Sequence, residues 1–210
     1  MATLVGMGEK FGTAPPEWDQ LYRTHGRLPG DDPNEVLVAR CGDLEPGRAL
    51  EIGCGVGGDA IWLARRGWQV TGVDVSQVAL AHAKEGARLA GVDIDWRWAG
   101  LEELAPEGYD LVTAFYPALH RSASGTAERA LLRAVAPGGI LLIVHHADID
   151  VERSKSFGFD PEHYVSHDDV VAALGDGWQV DLQRRRPRVM RTDATSPHSH
   201  DDLIMARRLG

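Results

Sequence analysis

The stretch that most constrains this chain is residues 49–58, ALEIGCGVGG, a short apolar run that empties into a loop almost without side chains. Such a loop, after a buried strand and before a helix, lets backbone approach a ligand closely and turns helix N–H groups toward it. It matches G-x-G-x-x-G through Gly53, Gly55 and Gly58, and the acid Asp74 comes later, as in dinucleotide-binding loops. It also reads Glu51-x-Gly53-x-Gly55-x-Gly57, with Glu51 outside the dinucleotide pattern. An acid facing the loop mouth there repels a pyrophosphate and suits a ligand ammonium group.

The chain beyond the loop decides the fold class. From Arg48 it alternates: RALEIG as a buried strand, GDAIWLARRG as a helix closed by Gly67, WQVTGVDV as a strand ending at an acid, and SQVALAHAKEGARLAG as a helix capped by Ser76. VDIDWRWAG, YDLVTAFY and GILLIVHH supply three more strands, and GTAERALLRAVAPGG a helix ending in glycine. Strand–helix alternation with apolar strands predicts a parallel sheet covered by helices on both faces. The tail differs: SHDDVVAALGDG reads as a helix, then WQVDLQRRRPRVMR and DDLIMARRL as two strands joined by polar TDATSPHSH, most simply antiparallel. Upstream lie a short helix around 16–24 and a second over DDPNEVLVARCGDL, with Asp31 or Asp32 as cap and Val36, Leu37 and Val38 as its apolar side.

Composition narrows the partners. The 210 residues suit one domain, and 43% apolar with 25% charged residues is ordinary for a globular protein. A net charge of -9 argues against nucleic acid, and the one basic cluster, RRRPR at 184–188, is too short to reverse that. No apolar run approaches the roughly 20 residues that cross a bilayer, so no membrane partner is expected. Cys41 and Cys54 give neither a disulfide framework nor zinc spacing, which fits a reducing cytoplasm.

The combination LEIGCGVG, VTGVDVS with Asp74, YDLVTAFY and APGGILLI resembles the class I S-adenosylmethionine-dependent methyltransferases over about residues 16–208. The resemblance implies an α/β, Rossmann-like seven-stranded sheet of order 3-2-1-4-5-7-6 with the last strand antiparallel and helices on both faces. It implies a single domain over 1–210, with 1–45 as an entry or lid segment and 46–210 as the catalytic core. By the same resemblance Gly53, Cys54, Gly55 and Gly57 pack against the methionine and ribose of S-adenosylmethionine, and Glu51 attracts its amino group. Asp74 holds both ribose hydroxyls, Val75 touches adenine, Gly100 and Leu101 bracket its edge, and Phe115 and Tyr116 lie near the sulfonium. Ring faces attract such a cation; ordinary core packing is the alternative for these two. The segment EWDQLYRTHGRLPGDDPNEVL is similar to the entry region of a small bacterial branch near tellurite- and thiopurine-type methyltransferases, which makes Trp18 and Tyr22 the residues that close over the cofactor.

The acceptor is read from histidines. IVHHADID places His145, His146, Asp148 and Asp150 at the carboxyl end of a strand, with Glu152 beyond. The group suits a divalent cation such as Mg²⁺ held by His145, His146 and Asp148, or a histidine base oriented by an acid. His145 and His146 fall on opposite faces while the strand stays extended, so both reach one site only if it breaks there. His120, in the loop after YDLVTAFY, is a third candidate base and His25 a fourth; His198 and His200 read as solvated. A polar mouth points to O-methylation of a small hydroxylated acceptor, a sugar or polyol, which needs a base or metal. Transfer to sulfur, selenium or tellurium needs neither. An NAD-dependent oxidoreductase and a non-catalytic cofactor binder are the readings from other classes. The entry segment and the tip at 189–201 are candidate homodimer surfaces.

Overall fold

The computed structural model describes residues 15–25, 32–104, 108–156, 159–188 and 198–210. Along the chain lie α1 (Pro15–His25), α2 (Glu35–Cys41), β1 (Arg48–Ile52), α3 (Gly58–Ala64), β2 (Gln69–Asp74), α4 (Gln77–Ala90) and β3 (Asp95–Trp98). Then come α5 (Leu101–Leu104), β4 (Tyr109–Phe115), α6 (Thr126–Ala134), β5 (Val135–His146), α7 (Val151–Ser156), α8 (His167–Ala173), β6 (Trp178–Pro187) and β7 (His200–Arg208). The seven strands form one sheet in the order β3-β2-β1-β4-β5-β7-β6. β1 to β5 pair in parallel, and β7 runs antiparallel between β5 and β6.

The apolar runs exist because both sheet faces are covered. In β5, Leu141 and Ile143 join a core with Ala130 and Leu131 of α6 and Val170 of α8. The intervening Leu142 and Val144 join a second core with Val36 and Leu37 of α2 and Leu63 of α3. A strand buried on both faces loses its alternation and reads as ILLIV.

Local chemistry sets the element ends. Ser76 caps α4, its hydroxyl accepting from the Ala79 N–H at 3.1 Å, and Gly91 closes the helix at φ +68°. The cap of α2 is Asn34, whose side chain accepts from Val36 N, and not Asp31 or Asp32; Asp31 lies outside the described residues. Pro33 therefore precedes the cap. Val38 is 39% exposed, so the buried side of α2 is Val36, Leu37 and Cys41. α3 ends at Ala64, ahead of Gly67. α6 ends at Ala134, because Pro137 cannot continue a helix and the chain is already extended at Val135, which pairs with Tyr109. α5, α7 and a 3-10 turn at Pro161–His163 were not expected from the pattern. Among the described residues no helix is long and apolar enough to cross a membrane.

Candidate functional site

A cavity of about 330 Å³ opens at the carboxyl ends of β1, β2 and β4, where ligands bind in open α/β sheets. Ile52 and Gly53 border it from the end of β1 and Val73, Asp74 and Val75 from the end of β2. Gly100 and Leu101 come after β3; Phe115, Tyr116 and His120 close β4 and its loop; Trp18 and Tyr22 reach the cavity from α1. Ten sequence-selected residues thus meet at one cavity: Trp18, Tyr22, Gly53, Asp74, Val75, Gly100, Leu101, Phe115, Tyr116 and His120.

The rest of the loop lies behind it. Gly53 has φ +67° and nothing within 4 Å of where a side chain would begin, so its open side is the cavity. Gly57 has φ +85° and caps α3, and a Cβ there would stand 2.7 Å from Cη2 of Trp96. Its lack of a side chain makes room for an aromatic ring. Cys54 is buried at 7% exposure, its sulfur toward Gly72.

Glu51 does not face the loop mouth. It pairs in register with Thr113 across β1 and β4, accepts from the Thr113 hydroxyl and is 2% exposed. Alternation explains this, because Ile52, the next residue, is the one at the cavity. Burial pushes the Glu51 carboxyl well up, reinforced by nearby Asp59, itself raised by burial to about 6.

Asp74 brings a buried carboxylate to the cavity border. Its Oδ2 accepts from Gly55 N and its Oδ1 from Ser76 N, both at 2.8 Å. The Val75 N–H adds a third backbone donor, and burial pushes the carboxyl up against these donors. Trp98 donates from its indole nitrogen to the Val75 carbonyl at 2.9 Å, fixing the chain beside Gly100. The acids Glu102 and Glu103 also border the cavity and were missed, although they sit directly after Gly100–Leu101.

The histidines separate. β5 does not break: His145 pairs with Asp202 and His146 with Asp201, so they lie on opposite faces. His145 packs against His167 of α8 at 6.1 Å between ring centres, and burial pushes it down to about 4. His146 lies stacked between Tyr116 at 4.1 Å and His198 at 3.9 Å. Neither borders the cavity. Asp148 accepts from both the N–H and the hydroxyl of Ser199 at 2.8 Å, tying the segment after β5 to the residue before β7. The expected ligand trio His145, His146 and Asp148 therefore does not converge, and among the described residues no group of three His, Cys, Asp or Glu is placed to hold a metal ion. Asp150 is used locally, accepting from Arg153 N in α7 at 3.0 Å. The side chain of His25 lies outside those described.

His120 remains at the cavity, stacked on Tyr164 at 5.5 Å and bridged to it through the backbone. Tyr116 has φ +52°, costly for an aromatic residue. Its hydroxyl donates to Asp201 Oδ2 at 2.9 Å and Asn34 bonds it from the other side. Asp201, 2% exposed, also sits 3.4 Å from His146 Nδ1 and from Arg188 Nε. Asp201 was missed because only the β5–β7 register brings it to the end of β4.

Residues 49–139 match the family of the methyltransferase domain. The ubiquinone biosynthesis O-methyltransferase of Alkalilimnicola ehrlichii is 41% identical over 106 residues, 49% of this chain and 43% of that protein. The ribosomal RNA small subunit methyltransferase C of Alcanivorax borkumensis is 33% identical over 136 residues, 60% of this chain and 41% of that protein. The chain thus spans under half the length of these curated relatives. A solved structure from the conversion of a disulfide bond into a thioacetal group during echinomycin biosynthesis superposes with a TM-score of 0.69 at 25% identity, covering 93% of both chains. Together with the strand order, residues 49–139 thus resemble a methyltransferase domain, and the chain carries the seven-stranded fold of its solved neighbours.

Proposed function

We propose that this protein transfers the methyl group of S-adenosylmethionine to a small hydroxylated acceptor, with His120 as the base. The observation that carries the reading is the single cavity bordered together by Gly53, Asp74, Phe115, Tyr116 and His120. When bound, the cofactor supplies a methyl on a sulfonium, activated for in-line displacement. Asp74 borders the cavity with a carboxylate held by backbone N–H groups, an acceptor suited to ribose hydroxyls. Phe115 suits a neighbouring cation, whereas the Tyr116 ring is already stacked on His146 and lies under Arg188. The acids Glu102 and Glu103 repel a phosphorylated ligand at the same mouth. At the low end of ligand-pocket volumes, roughly 300–1,000 Å³, the cavity takes a cofactor and leaves the acceptor to approach past Tyr116 and His120. His120 would accept the hydroxyl proton as the new O–C bond forms and the methyl–sulfur bond breaks, its electron pair leaving with the thioether of S-adenosylhomocysteine. No step runs through a metal, since the expected donors do not converge. The net charge of -9 favours a small acceptor over nucleic acid.

Labelled methyl transfer to panels of polyols, phenols and thiols tests this. Transfer to a hydroxyl acceptor is expected, falling about 10²- to 10⁴-fold in His120→Ala, the usual worth of a positioned base. Unchanged turnover of that acceptor in the variant refutes the base. A sulfur acceptor is the second reading, favoured by the echinomycin-pathway neighbour. A thiolate needs no base, so thiol transfer indifferent to His120→Ala selects it.

A further inference from the structure

We propose that Asp19 is a latch that holds α1 closed over the cofactor cavity, making it a positioning residue for cofactor retention. The proposal rests on the cofactor reading above for the cavity's occupant. α1 puts Trp18 and Tyr22, one helical turn apart, on the cavity border. Asp19, between them in sequence, is turned to the first turn of α4 instead. Its Oδ1 accepts from the Ser76 hydroxyl at 2.6 Å and from Val78 N at 3.1 Å.

The placement is chemically specific. Val78 N is among the N–H groups that a helix leaves unpaired at its start, and here a carboxylate from a different helix takes it. α4 is 14 residues long, so its first turn also favours a negative charge. Arg23 adds a weaker tie within α1, 3.4 Å from Asp19 Oδ2.

The latch touches the ligand side directly. Ser76, fully buried, donates its N–H to Asp74 Oδ1 at 2.8 Å while its hydroxyl goes to Asp19. Asp74 Oδ2 in turn accepts from Gly55 N, and a Cβ on Gly55 would lie 2.8 Å from the Tyr22 hydroxyl. Lid, latch, ribose-side carboxylate and glycine loop thus form one closed circuit of contacts. Opening α1 by way of Asp19 breaks this circuit without touching either core of the sheet.

The test measures S-adenosylhomocysteine binding kinetics and deuterium exchange of α1 in the wild type, Asp19→Asn and Asp19→Ala, with thermal melting as a fold control. Release should quicken about tenfold in Asp19→Ala, the worth of one charge-assisted hydrogen bond, with the association rate little changed. Asp19→Asn keeps a neutral acceptor and should fall between the two. In the unliganded protein α1 should exchange faster in the same order. Wild-type release rates in Asp19→Ala, or unchanged α1 exchange, overturn the latch. A wild-type protein that binds no S-adenosylhomocysteine overturns the cofactor reading instead, while the exchange comparison still tests the docking of α1.

Discussion

Alanine at Gly53 and at Gly57 is the same substitution in the same loop, yet it should produce opposite phenotypes. Both residues are left-handed, at φ +67° and +85°, so each alanine carries about 1 kcal/mol of backbone strain. At Gly53 the new methyl meets nothing within 4 Å and enters the cavity. The cost to the fold stops at that ~1 kcal/mol, or about 3 °C in Tm for a chain of this size. Ligand affinity should drop about tenfold or more, since the methyl enters the cavity proposed for the cofactor. At Gly57 the methyl lands 2.7 Å from Trp96 Cη2 and 3.1 Å from Ala83 Cβ. Overpacking adds about 2 kcal/mol, for a total near 3 kcal/mol and a Tm lower by roughly 10 °C. Affinity measured well below the transition should be close to wild type. Differential scanning calorimetry and titration with S-adenosylhomocysteine on both variants read the two axes. A stable Gly57→Ala that no longer binds, or a Gly53→Ala that binds normally, refutes this division of the loop.

Other substitutions probe separate parts of the site. Asp74→Ala removes the acceptor of Gly55 N and Ser76 N as well as the carboxylate at the cavity border, so titration calorimetry should show cofactor affinity falling at least about 100-fold. Tyr116→Phe leaves Asp201 with Arg188 and His146 near it but without its hydroxyl donor; urea melts should show a loss of about 1–2 kcal/mol. His145 sits near 4 in the folded state against an ordinary 6.5, so unfolding between those values takes up a proton and its contribution is complete above pH 6.5. That contribution is lost as pH falls from 6.5 to 4, up to about 3 kcal/mol. Asp59, raised to about 6, acts with the opposite sign, its cost growing as pH rises from 3.8 to 6. Comparing urea stability of wild type and His145→Gln at pH 4.5 and 7.5 isolates the histidine: the variant should show the smaller acid loss, and parallel curves refute it.

The sheet was legible because its determinants are local. Buried parallel strands must be apolar runs, and capped helices between them announce themselves through Ser76 and Gly91. The cavity was legible for the same reason: residues just past strand ends, such as Gly53, Asp74, Gly100 and Phe115, gather wherever a parallel sheet forms. Side-chain direction and long-range register were not. Glu51 lies one residue from the cavity border yet faces Thr113, which only the β1–β4 register shows. HHADID looked like a ligand cluster because its members are adjacent in sequence. Pairing with β7 kept the strand extended and sent His145 and His146 to opposite faces. Gly57 matched a cofactor motif, whereas its missing side chain makes room for Trp96, 39 positions away. Asp19 and Asp201 each act on an element far along the chain, where no sequence spacing points to them.

Everything proposed for the site depends on the cavity holding S-adenosylmethionine and not a dinucleotide. Titration calorimetry of the purified protein with S-adenosylhomocysteine and, separately, with NAD⁺ decides between them. Saturable one-site binding of S-adenosylhomocysteine, lost in Asp74→Ala, and no heat from NAD⁺ are expected. Binding of NAD⁺ alone would contradict the assignment.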